Sequence, residues 1–417
     1  MAVDRRIFLK VTGAGIAGLA ASSLLPSCVF PNYQGQVLLH QVAWHQNATD
    51  PKICASQAQQ AVQYNFGFNF DWFTGQGERF LEGICQTPEF INGQIPFQVL
   101  FDTWINMFVN GFGSYENGYD FGNQDLKKCF IDCCTKIRDQ FFHFPSYYKI
   151  DNRPVLFIYL AKFCNNLNQF EDAINTVRKE LPGVHLQGDF VEGRRDYVNQ
   201  PLTHEEKRRI RLFDSITLYN CYLPFTDQFD FDLGRYVNEY VIPSYLEWSI
   251  LIDGLTTKIY GQDTGQKIKF YPNAIAHYDD YAIRGNPVLR GTPEQFENFL
   301  KFCTYFSGSI GPIYVTSMNE YTEGTALDGE HENLEKIAGV YGSQETSSSN
   351  LNFIGQKQLV DPRLRELIKE RTIYDPYEEG DRDWELAYGH VDLSKTALSS
   401  VEDKELREFL YCNRRPI

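Results

Sequence analysis

Beyond the first ten residues this chain has no run of Lys and Arg longer than three residues, and its 54 Asp and Glu outnumber 39 Lys and Arg to leave a formal charge of −15. That field repels a polyphosphate, so nucleic acid is not an expected partner. No C-x-x-C or H-x-x-x-H pair is present, so no metal site is expected. A phosphate-cradling loop is missing too, because Gly13-Ala14-Gly15 falls inside the amino-terminal leader. No Ser-His-Asp order appears, and no organic cofactor is expected. Internal repeats are absent, which excludes a solenoid. After residue 25 no apolar run is long enough to cross a bilayer.

What remains is an ordinary globular composition, 43% hydrophobic and 22% charged, with a high aromatic share of 15%. Aromatic faces stack on sugars and on bases alike, and the acidic balance favours sugars. Most of the 32 Phe belong in the core in any case.

Residues 1–28 read as a targeting segment. Arg5-Arg6-Ile7-Phe8-Leu9-Lys10 precedes a short apolar stretch, Val11 to Leu25, that ends in Leu25-Pro26-Ser27-Cys28. The first run resembles a twin-arginine export signal and the last a lipobox, with Cys28 receiving lipid. The expectation is an exported, membrane-anchored lipoprotein, periplasmic or at the cell surface; the unusual Pro26 leaves an uncleaved amino-terminal anchor as the alternative. Without Cys28 nine of the ten cysteines remain, an odd number, so at least one thiol lacks an intrachain partner. Cys129, Cys133 and Cys134 form a C-x3-C-C cluster read as helix packing.

From residue 37 onward short β-branched and aromatic runs alternate with longer helix-like stretches, the mark of repeated βα units. Eight strands are predicted: 37–44, 65–70, 96–101, 154–160, 185–190, 215–220, 269–274 and 312–317. Eight is the number that closes a (β/α)8 TIM barrel. Helices are predicted at 50–64, 124–142, 169–181 and 292–306, and a charged helix face from His204. Long loops are expected at 106–122, 221–234 and 275–291, where barrel enzymes keep their chemistry. The domain plan is therefore a linker at 29–36, the barrel at 37–342 and a short helical extension at 343–417, with pieces at 361–371 and 401–410.

The segment from Ile313 to Thr325, IYVTSMNEYTEGT, runs an apolar strand straight into two carboxylates, Glu320 and Glu323, followed by Gly324. If the chain makes one turn there, the i,i+3 spacing puts their Cβ atoms about 5–6 Å apart, close enough to act on one sugar ring. Unlike surroundings then let one act as acid and the other as base. The bland alternative is a solvated or Arg-satisfied surface pair.

This segment resembles the Asn-Glu-Trp-x-Glu-Gly-Thr motif of glycoside hydrolase family 99, the endo-α-mannosidase-like enzymes, and of WbsX-type proteins. Tyr278-Asp279-Asp280-Tyr281-Ala282-Ile283-Arg284, Asn152 to Tyr159 and Ala61 to Phe68 are similar to three further stretches of that family, in the same order. The resemblance implies a retaining hydrolase of α-linked polysaccharide or glycan. Glu320 would act as base on the sugar 2-hydroxyl and Glu323 as acid/base, with Asn319, Tyr219, Asp279, Asp280 and Arg284 lining the site; alternatively Arg284 holds an aspartate as an ion pair. Tyr321, Thr322, Met318 and His277 depart from the family pattern, so the chemistry is better supported than mannan specificity. Trp44, Trp72 and Trp104, near the ends of the first three strands, are read either as sugar platforms or as core aromatics. A monomer is expected. The rival readings are a WbsX-type envelope polysaccharide-processing protein and a glycan-binding surface lipoprotein without activity.

Overall fold

A computed structural model describes residues 36–42, 46–75, 77–112, 118–190, 202–219, 230–237, 241, 244–245, 248, 251–252, 254–279, 288–307, 311–321 and 324–342. The expected leader with Cys28 and the expected extension at 343–417 lie outside these residues.

Among the described residues nine parallel strands make the main sheet: β1 (Val37–Gln41), β2 (Gly67–Trp72), β3 (Phe97–Phe101), β4 (Arg153–Ile158), β5 (His185–Asp189), β6 (Ser215–Thr217), β7 (Lys269–Tyr271), β8 (Asn273–Ile275) and β9 (Ile313–Thr316). Their spatial order is β7-β6-β5-β4-β3-β2-β1-β9-β8. Only Pro272 separates the two ends of that list. Residues 269–275 are thus one stave in two halves, the first pairing with β6 and the second with β9, and the sheet closes as a (β/α)8 barrel. Proline has no N–H to give a ladder, which accounts for the break. All eight expected strands are present.

The strands follow from their residues. Alternate side chains of β2, Phe68, Phe70 and Trp72, join the layer between sheet and helices, while the intervening positions face the barrel axis. The axis is identified by contacts between strands that are not neighbours. Tyr314 on β9 donates to Gln187 on β5 at 2.7 Å, and Gln98 on β3 donates to Tyr314 at 3.1 Å. Only a closed sheet lets these meet, as one interior layer of side chains.

Crossover helices carry the local signals expected of them. α1 (Pro51–Gln63) starts on Asp50, whose carboxylate accepts the Lys52 N–H at 2.9 Å, with proline at the first turn. α2 (Thr103–Val109) is capped by Asp102. α3 (Gln124–Phe141) buries Leu126, Phe130, Cys133, Cys134, Ile137 and Phe141 on one stripe. α4 (Leu167–Glu180) does the same with Phe170, Ile174 and Val177, and α5 (His204–Ile210) opens on a Thr203–Glu206 capping box. α6 (Pro293–Ser307) and α7 (His331–Gly342) flank β9. The seven described cysteines are all free thiols, and Cys133 and Cys134 pack in the core.

Two expectations change. The loop expected at 106–122 starts inside α2, because Asp102 supplies a cap that turns Thr103 into a helix start. The stretch between β6 and β7 holds an antiparallel hairpin, Thr256–Ile259 with Gln262–Lys267, and the two expected loops at 221–234 and 275–291 are tied by a parallel pair, Asp230–Asp232 with Val288–Arg290.

Candidate active site

The interior has two polar ends. At the amino-terminal floor Asp214 accepts from Arg178 at 3.0 Å and Arg153 at 3.1 Å, and Arg153 meets His185 at 2.9 Å. Burial drives His185 down to about 3, so it is neutral, and Arg178, Arg153 and the Leu186 N–H keep Asp214 below its ordinary value despite its burial. This end is a structural ion network.

The other end holds the expected chemistry. β9 leads into a turn held by its own side chains. Ser317 Oγ accepts the Glu320 N–H at 2.9 Å and lies 2.9 Å from the Thr325 hydroxyl, while Thr325 N–H returns to the Glu320 carbonyl at 3.1 Å. Gly324 sits at φ +58 with its Cα against Asp279, where a Cβ would fall 3.0 Å from the Asp279 Cβ. Beside it His277 packs Nδ1 on the Gly324 carbonyl and Nε2 on the Glu330 carboxylate, the latter at 2.9 Å. Both partners are acceptors, so both ring nitrogens carry hydrogen. Burial opposes the charge, but the Glu330 carboxylate and the Gly324 carbonyl together raise the imidazolium pKa.

Glu320, 4% exposed, therefore stands at the exit of the last strand. Around it gather the inward residues of the other strand ends. His40 from β1 is buried and lowered to about 4 by desolvation, against the pull of Glu320. Its ring meets Tyr219 edge-on at 5.3 Å, and Tyr219 meets Tyr159 at 5.2 Å. Asp189 accepts the backbone N–H groups of Tyr219 at 3.1 Å and Leu160 at 3.3 Å. Asp102 accepts from Ile105 at 2.8 Å, yet burial pushes it up to about 7. Asp71, 1% exposed, lies close enough to Asp102 and Glu320 to feel both charges. Several carboxyls, two tyrosines and a neutral imidazole at the carboxyl end of a barrel can bind polyhydroxylated ligands and move protons.

Of the residues singled out in the sequence, Glu320, Tyr219, Asn319 and Asp279 come to this mouth. Asn319 is largely engaged: its Oδ1 accepts the Val42 N–H at 2.8 Å and its Nδ2 donates to the Val42 carbonyl at 3.0 Å, prolonging the β1–β9 contact beyond the ladder. Trp72 is not brought there. It lies on the outer face of β2, 2% exposed, with Nε1 donating to Gln140 of α3 at 3.2 Å. Trp104, 37% exposed, stands in the first turn of α2. Trp44, Asp280, Arg284 and Glu323 lie outside the described residues.

Sequence reasoning passed over His40 and Asp189, and met Asp71 and Asp102 only as polar neighbours of Trp72 and Trp104 at the strand ends. The signal was present: Asp71, Asp102 and Asp189 keep an even spacing from Asn69, Gln98 and Gln187, the interior phase, and His40 stands opposite Asn69 in the β1–β2 ladder. Without knowing which face closes inward, the tryptophan beside Asp71 draws attention instead.

No protein-family model matches the chain, and no curated protein matches it. Solved structures do. A "glycoside hydrolase-like protein" matches at TM-score 0.52 and 15% identity, over 76% of this chain and 96% of that one. The family 99 endo-α-mannosidase of Bacteroides thetaiotaomicron matches at TM-score 0.49 and 14% identity, over 72% of this chain and 82% of that one. At such identity the first likeness shows the barrel and not the activity.

Proposed function

We propose that this chain is a retaining glycoside hydrolase of an α-linked polysaccharide or glycan, with Glu320 as base and Glu323 as acid/base. The observation that carries the reading is the placement of Glu320: nearly buried, at the exit of the closing strand, among His40, Tyr219 and further carboxyls. Surface glutamates are not held that way.

In the proposed reaction Glu320 takes the proton of the sugar 2-hydroxyl. The 2-oxygen then bonds to the anomeric carbon as the glycosidic bond breaks, and Glu323 protonates the departing oxygen. Water next opens the 1,2-anhydro ring at the anomeric carbon, giving its proton to Glu323 while Glu320 returns its own to the 2-oxygen. Two inversions leave net retention, and both carboxyls end as they began. This differs from the usual retaining pair, in which one carboxylate becomes covalently bound. The proposal includes export as a Cys28-lipidated monomer that meets its glycan at the envelope, which the leader sequence supports.

The test is incubation of the purified protein with α-mannans and other bacterial and host polysaccharides, followed by reducing-end release and by NMR of the first-formed anomer. At least one should be cut with retention, and E320Q should lower kcat about 10²- to 10⁴-fold. With E323Q, binding should persist while product release is lost. A wild type that binds glycan but cuts none is a binding lipoprotein, and an E320Q variant at the wild-type rate removes the assigned site.

A further inference from the structure

Asp71 shares the interior face of β2 with Asn69, and neither of its carboxyl oxygens has a hydrogen-bond partner among the described residues. Its neighbours are better provided for, since Asp102 caps α2 and Asp189 accepts two backbone N–H groups. Among the described residues the charged groups that face Asp71 are Asp102 at the exit of β3 and Glu320 at the exit of β9, both acidic. From β1 comes His40, a neutral imidazole whose Nδ1 is likewise buried without a partner. A carboxylate here would gain no donor and face two like charges. The shared proton therefore rests on Asp71, whose pKa burial and these carboxylates hold well above the ordinary range.

A neutral carboxyl carries an O–H donor, and buried donors are satisfied in a working protein. A sugar hydroxyl needs an acceptor for its hydrogen and a donor for its oxygen. Glu320 and Asp71 meet those two needs side by side. Resting on the glycosidase reading for the identity of the ligand, we propose that Asp71 is a neutral carboxylic acid that donates a hydrogen bond to a glycan hydroxyl whose own proton turns toward Glu320. The site thereby selects hydroxyl groups and rejects deoxy sugars at that position.

Infrared difference spectroscopy of the full chain reads the proton without substrate. A neutral carboxyl C=O band at pH 7 that disappears in D71N is expected; a wild type lacking the band, or an unchanged D71N spectrum, overturns the neutral acid. A second measurement adds α-mannan oligosaccharide, or whichever polysaccharide of the panel binds, and follows affinity by calorimetry. D71A should weaken binding about 10- to 100-fold, whereas D71N, whose amide still donates, should stay close to wild type, and the band should shift on binding. Equal losses in D71N and D71A, or a band that saturating glycan leaves in place, overturn the donor role. If the wild type binds nothing in the panel, the glycosidase reading and the donor role fall together, while the band still reports the proton.

Discussion

At the scale of single residues the mouth of the barrel is governed by what burial does to charge. Asp71 keeps in the folded chain a proton that the unfolded chain releases above about its ordinary 3.8. The folded state then binds more protons, so stability falls as pH rises through that window, by at most about 1.4 kcal/mol per pH unit for one proton. D71N abolishes this dependence. Its melting temperature should gain on the wild type from pH 5 to 8, and parallel curves for the two proteins would refute the raised pKa. His40 acts in the opposite sense: neutral when folded and lowered to about 4, it drains stability as pH falls from 6.5 toward 4. Glu320 was legible in the sequence because an apolar strand ends on it. Asp71 was legible only as half of an Asp-Trp pair whose inward member is set by closure of the sheet.

At the scale of elements, what matters is how the turn after β9 is fastened to its neighbours. Asn319 lends both ends of its amide to Val42, so N319A should lower stability by about 1–3 kcal/mol, the cost of leaving a buried N–H and C=O without partners. N319D, which keeps the acceptor and loses the donor, should fall between, as chemical denaturation can measure. On the other side His277 bridges Gly324 and Glu330 as an imidazolium. A histidine of raised pKa contributes its stabilisation fully below 6.5 and loses it as pH rises through the folded value. H277Q should therefore melt below the wild type at pH 5.5, and the gap should close by pH 8.5; a gap that does not change with pH argues for a neutral ring. The strands and long helices were legible from period-2 and 3.6-residue patterns. The hairpin at 256–267 was not, because five of the six residues of its second strand are exposed and carry no apolar alternation.

For the whole molecule, function and stability occupy opposite ends of one barrel. The floor network of Arg178, Asp214, Arg153 and His185 is remote from Glu320 along the strands. Removing Arg178 leaves a fully buried Asp214 with one cation fewer, so R178M should cost about 3–5 kcal/mol of folding free energy while KM for a cut polysaccharide stays unchanged at temperatures where the variant is folded. A changed KM would mean that the two ends are coupled.

The sequence alone determined that eight strands are interspersed with helix-like stretches and that the last strand delivers Glu320 to the carboxyl end, because local periodicity and the run of residues carry both facts. Only the tertiary structure decided which side chains share that end with Glu320. His40, Asp71, Asp102 and Asp189 come from strands far apart in the chain, and a shift of one residue in pleat phase would have sent each outward and Trp72 inward. That phase is set by closure of the whole sheet, a global condition that no local window of sequence contains.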